Sequence, residues 1–167
     1  MALPSKVLPG FTAALYAQPT TTPTVLTLAQ LSLVASVSPI AVIGNLVPVE
    51  AIPAFGQDDA VASFTVAGSR QSDKIPAQSA PTSMTITAAW NPSDASLLLI
   101  RGDAYSGVVD RTYVIAASDN AASPNIIYYA FNARASQFQI DAAPGAEAKC
   151  MFSLHPRGNL YGWSNNA

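Results

Sequence analysis

Residues 82–103 read TSMTITAAWNPSDASLLLIRGD. Thr82 to Trp90 alternate strictly. Met84, Ile86, Ala88 and Trp90 share one face, and Ser83, Thr85, Thr87 and Ala89 the other. That period of two predicts a half-buried strand. Asn91-Pro92-Ser93-Asp94 then opens a helix. Asn91 suits the N-cap, Pro92 the first helical position, and Asp94 the third residue of a capping box near the positive helix end. The helix is expected over residues 93–101, with Gly102 as its C-terminal stop. Leu97 and Ile100 should face a sheet, flanked by Leu98 or Leu99.

Further strands are predicted around this unit: 11–17, 111–116, 125–133, 135–141 and 146–155. In the last, Ala146, Ala148, Cys150, Phe152 and Leu154 share one face. Both faces of residues 126–131 are apolar, which suits a strand covered on both sides. Residues 24–49 are rich in Val, Leu and Ile, and Pro39 and Pro48 divide them into more than one strand. Residues 1–23, with their Pro and Thr clusters, read as an extended N-terminal arm. Residues 158–167 read as a polar tail, loose unless a neighbour holds it. Residues 50–81 read as a long loop holding one strand, with Ala62, Phe64 and Val66 on one side; long loops in compact domains tend to be functional. The expected fold is mainly β, a β-sandwich or half-barrel with one short flanking α-helix, in a single domain spanning residues 1–167.

Composition narrows the function. Of 167 residues, 50% are hydrophobic and only 11% charged, against about 25% charged in average soluble domains. So much apolar surface with so little charge points to burial between subunits as well as within one. No run of about 18 apolar residues is present to cross a bilayer as a helix, and the N-terminus lacks the apolar core of a secretory signal. The single Cys150 excludes an intramolecular disulfide and reads as a small core residue. Net charge is −2 and the eight Lys and Arg are scattered, which argues against tight phosphate-dependent nucleic-acid binding.

No catalytic, cofactor or metal constellation emerges. On one straight strand His155 and Cys150 point to opposite faces, so His155 reads as a surface histidine. The pair Asp58-Asp59 lacks the further oxygens that a divalent cation needs and reads as a solvated or interface loop. Arg101-Gly102-Asp103 is a short motif at an expected helix end and carries no weight. Gly56, Gly68 and Gly107 show no phosphate-loop pattern. The tyrosines 105, 113, 128 and 129 lack flanking basic residues and read as sheet or interface residues. Not an enzyme is the expectation.

The strand ending in Trp90-Asn91-Pro92, the short helix, a Tyr-bearing strand and a late hairpin resemble the major tail tube proteins of long-tailed bacteriophages. The resemblance covers residues 83–152, best over TITAAWNP at 85–92. The polar stretch 50–81 resembles that family's extended loop. The resemblance implies hexameric rings stacked into a virion tail tube, a conduit for DNA ejection, made in the host cytoplasm. Implied partners are further copies of the chain, tail terminator, distal tail and tape-measure proteins, and DNA in passage, with no cofactor. The charge of −2 per chain sums to about −12 over such a ring, mildly repulsive to a polyanion. Candidate inter-subunit contacts are Phe55, Asp58, Asp59, Arg70, Asp73 and Lys74, chosen for the length and mixed charge of their segment. Two other readings stand beside this one: another virion component, such as a tail completion or capsid decoration protein, and a carbohydrate-binding, adhesin-like β-sandwich using Trp90, Tyr161 and Trp163.

Overall fold

The structure, a computed structural model, describes residues 12–20, 44–65, 72–118, 126–142 and 147–164. In chain order these form β1 (Thr12–Ala17), β2 (Asn45–Val47), β3 (Val49–Ala51), β4 (Gln57–Thr65), β5 (Ser72–Pro81) and β6 (Met84–Ala89). Then follow α1 (Ala95–Ser106), β7 (Asp110–Ser118), β8 (Ile126–Asp141) and β9 (Lys149–Ser164). The fold is mainly β with one helix among the described residues, as the alternation of apolar and polar side chains leads one to expect.

A seven-stranded antiparallel sheet runs in the order β2-β1-β7-β8-β9-β6-β3, and β4 and β5 form a separate two-stranded sheet. The two ends of the larger sheet, β2 and β3, are separated in sequence by Pro48 alone. Proline has no N–H to give to a ladder, so it suits the bend where one stretch leaves β1 and joins β6. Its carbonyl accepts from the Ala89 N–H at 2.9 Å. One continuous segment thus ties both ends of the sheet together and curls it into a nearly closed barrel, which removes most of its open edge.

The barrel interior is filled by Leu15, Ala17, Val47, Met84, Ile86, Ala88, Tyr113, Ile115, Phe131, Phe138, Cys150, Phe152 and Leu154. The β6 alternation matches the expectation, with Met84, Ile86 and Ala88 buried. Trp90 is only partly buried, its ring edge set against Phe138 at 5.7 Å. A smaller cluster of Val114, Tyr128 and Ala130 buries part of β7 and β8 apart from that core, as the two-faced apolar pattern of residues 126–131 implies.

The helix differs from its expected bounds at both ends. Asp94 is the N-cap, accepting from the N–H groups of Ser96 at 2.9 Å and Leu97 at 3.1 Å. Asn91 instead accepts from the Ser93 N–H at 3.0 Å in a turn before the helix. Gly102 lies inside the helix, and Gly107 (φ 66) is the left-handed C-cap, its N–H bonded to the Asp103 carbonyl. An internal glycine costs about 1 kcal/mol. Burying Leu97 and Ile100 (both 0% exposed) contributes about 1.5–3 kcal/mol each. Packing therefore carries the helix through its glycine.

Three other expectations are corrected. Residues 50–81 are not a loop with one strand but hold the hairpin β4–β5, paired from Gln57↔Pro81 to Thr65↔Ser72. The strands expected at 125–133 and 135–141 are one strand, β8, kinked at Gln137 (φ 54), where its register against β9 shifts between Ser136 and Gln139. The tail expected to be loose continues β9 to Ser164, pairing with β8 as far as Ile127↔Ser164. Its proline is tolerated because β6 pairs with β9 only as far as Leu154, leaving Pro156 one neighbour strand. The short strand expected at 11–17 matches β1. The strands expected between Thr24 and Ile43 lie outside the described residues.

Candidate assembly surface

Phe55 ends the segment that leads into the hairpin and stays with the barrel, its ring edge-on to Tyr129 at 5.1 Å. The next residue, Gly56, accepts from the Thr82 N–H at 3.1 Å and closes the root of the hairpin. Asp58 stands opposite Ala80 and Asp59 opposite Ser79, near that root. Asp73 stands opposite Phe64 and Lys74 opposite Ser63, near the far end. The candidate contact residues are therefore spread along the hairpin, not gathered in one place, and Arg70 lies outside the described residues. Val61, 59% exposed, is a large apolar side chain that β4 offers to solvent. A two-stranded ribbon alone is marginal in water, so this one gains from any surface it can lie against.

A charged cluster outside the sequence-based expectations forms where α1 meets β7. Arg111 is buried and donates twice to Asp103, Nε to Oδ2 at 2.5 Å and Nη2 to Oδ1 at 3.0 Å. Its Nη1 also donates to the Gln18 carbonyl at 2.6 Å and the Thr20 carbonyl at 3.3 Å. One guanidinium thus ties the helix to the chain leaving β1. The neighbouring Tyr113 hydroxyl is buried and has no hydrogen-bond partner among the described residues. Burial, then the Asp103 charge, pushes its pKa well above the usual phenol value, with Arg111 opposing.

Polar side chains line part of the outside of β7, β8, β9 and β6. Asp110 receives Arg134 Nε at 2.9 Å and Arg157 Nη1 at 2.7 Å, and Arg134 Nη2 also reaches the Val108 carbonyl at 3.3 Å. His155 is exposed, as expected, and bridges strands through Ser83 (Nδ1, 2.9 Å) and Ser136 (Nε2, 2.7 Å). Cys150 points the other way into the core, where burial raises its thiol pKa. At the far end of β8–β9, Lys149 pairs with Glu50 at 2.6 Å. That hydrogen bond, with Glu147 and Asp141 nearby, holds the ammonium pKa above its ordinary value.

A stripe on α1 stays exposed: Leu98 (43%), Gly102 and Tyr105 (67%), followed by Val108 (73%). Arg101 lies over the Tyr105 ring, 5.6 Å from its centre. Among the described residues no group of three or more His, Cys, Asp and Glu is placed to hold a metal ion, and no helix is long and apolar enough to cross a membrane.

No protein-family model and no curated protein sequence matches the chain. Solved structures do. A chain in the baseplate of the anti-feeding prophage superposes with a TM-score of 0.64 at 11% identity, covering 100% of each chain. A chain in the sheath/tube terminator of the extracellular contractile injection system PVC gives 0.63 at 10% identity, covering 98% of this chain and 97% of that one. The SPP1 tail tube gives 0.52 at 13% identity, covering 93% of this chain and 77% of that one. At these identities the likeness establishes a common fold.

Proposed function

We propose that this chain is a structural subunit of a phage-type virion tail, forming hexameric rings that stack into the tail tube through which DNA leaves the particle. The observation that carries this reading is the whole-length likeness to chains from tube, terminator and baseplate structures. The physics of the chain supports it. The barrel core is filled with side chains, and several surface charges are held in ion pairs, Asp110 with Arg134 and Arg157, and Glu50 with Lys149. A conduit should hold DNA weakly, and two arginines sharing one carboxylate bind phosphate less well than free ones. Ring closure and head-to-tail stacking use the two kinds of contact that let a single chain build a tube. The hairpin β4–β5, with Phe55 anchoring its root and Asp58, Asp59, Asp73 and Lys74 along it, packs on neighbouring subunits, and Arg70 is a further candidate contact. Its partners in the tail are tail terminator, distal tail and tape-measure proteins.

The likeness to terminator and baseplate chains supports a second reading, a tail completion protein that makes one ring and stops. Trp90, set partly buried against Phe138, leaves little for the platform that an adhesin would need.

Sedimentation velocity over a concentration series separates these readings. A tube subunit gives species that grow with concentration. A completion protein stops at a single ring. Deleting residues 69–78 should leave folded protomers that no longer polymerise; normal polymers from that deletion would remove the hairpin from the interface.

A further inference from the structure

Gly102 has no structural reason to be glycine in the isolated protomer. It lies inside a helix, is exposed, and a Cβ there would meet nothing within 4 Å. Glycine at such a position costs about 1 kcal/mol relative to alanine. One turn to either side stand the exposed Leu98 and Tyr105, so the stripe has a notch where another backbone can come close. Val108 extends it, and its carbonyl is held by Arg134. The charges around the stripe are mainly positive: Arg101 over Tyr105, then Arg134 and Arg157 sharing the single Asp110.

The end of β8–β9 has the opposite character. Met151, 42% exposed, lies on the outer face with Asp141, while Ile140, also 42% exposed, is opposite the buried Cys150 and faces the other side. Asp141 and Glu147 are exposed, and Lys149 is already engaged by Glu50. Arg134 and Asp141 are seven residues apart on β8, roughly 23 Å along the strand. The basic end of the stripe and the acidic strand end of one protomer therefore stand well apart.

The geometry points to a complementary pair of surfaces: the Leu98–Gly102–Tyr105–Val108 stripe of one copy docks the Met151/Asp141 face at the end of β8–β9 of a second copy, with Arg101 facing Asp141 and Glu147. The contact is heterologous, so each copy keeps one free donor and one free acceptor surface and the association stays open-ended. It rests on the self-assembly reading above and adds the residues that make one of its contacts.

The test uses the full chain. Gly102→Leu fills the notch and replaces a poor helix former with a good one, so its melting temperature should equal or exceed wild type while its fast-sedimenting species vanish. Arg101→Glu should also lose assembly, and Arg101→Glu combined with Glu147→Lys should recover it. Folded Gly102→Leu and Arg101→Glu variants that assemble like wild type overturn this contact and leave the tube reading standing. Failure of the charge swap to recover assembly also overturns it. A wild-type chain that stays monomeric at every concentration overturns both.

Discussion

Arg111 on β7 holds Asp103 on α1 through two parallel nitrogen–oxygen contacts, with the side chains 1% and 8% exposed. Removing one partner strands a buried charge, so Arg111→Ala should destabilise the fold by about 3–5 kcal/mol. Replacing both with apolar residues, Asp103→Leu with Arg111→Met, should recover much of that loss. Urea denaturation of the two variants checks it. An additive double variant would mean that the pair is not coupled.

Tyr113 gives a pH dependence with a definite sign. Its pKa is higher in the folded chain than in the unfolded one, so the unfolded state releases its proton first. Stability from this group is intact below about pH 10 and falls as pH rises further, by about 1.4 kcal/mol per pH unit until the folded hydroxyl ionises. Tyr113→Phe should be no less stable at neutral pH, since it removes a buried hydroxyl that has no partner among the described residues. It should also lose stability less steeply above pH 10. Parallel alkaline melting curves for the two proteins would contradict this.

The cap has moved by three residues, which separates two otherwise similar substitutions. Asp94→Ala removes the acceptor of two helix N–H groups and should cost about 1 kcal/mol. Asn91→Ala should cost less, since Asn91 only closes a turn. The reverse order in thermal melting would restore Asn91 as the cap.

Gly44 should resist substitution. It has φ 95, and a Cβ there would run into the Ala17 carbonyl. Gly44→Ala should cost more than the roughly 1–2 kcal/mol of left-handed backbone alone, because β1 must also shift. Wild-type stability in that variant would show that the Gly44–Ala17 approach is not tight.

What the sequence reveals here is what periodicity encodes. Strict alternation makes β6 readable, and Leu97 and Ile100 fall on the buried helix face as their spacing predicts. The helix ends are harder, because Asn91-Pro92 and Asp94 are both good starting signals and the difference lies in which carboxylate or amide reaches the first N–H groups. The hairpin is hidden because Pro76 and the scattered charges imitate a loop, while its register comes from pairing with a strand on the far side of residues 66–71. The end of β9 is hidden for the same reason: Tyr161 and Trp163 are ordered by β8, not by their neighbours in sequence. Barrel closure through Pro48 is a matter of topology, since β2 and β3 reach opposite ends of the sheet only once β1, β7, β8, β9 and β6 lie between them. Asp103 follows Leu97 and Ile100 on the same helix face, and a carboxylate on a buried face needs a cation such as Arg111. Of the candidate contacts, Phe55 packs against the barrel, and Asp58, Asp59, Asp73 and Lys74 are spread along the hairpin.

Electron microscopy of the purified full chain in negative stain, over a rising concentration series, shows whether the chain builds a tube. Hollow rings with six-fold symmetry that stack into tubes of constant bore are the predicted result. A uniform monomer at every concentration, or a compact oligomer with no central channel, would contradict it.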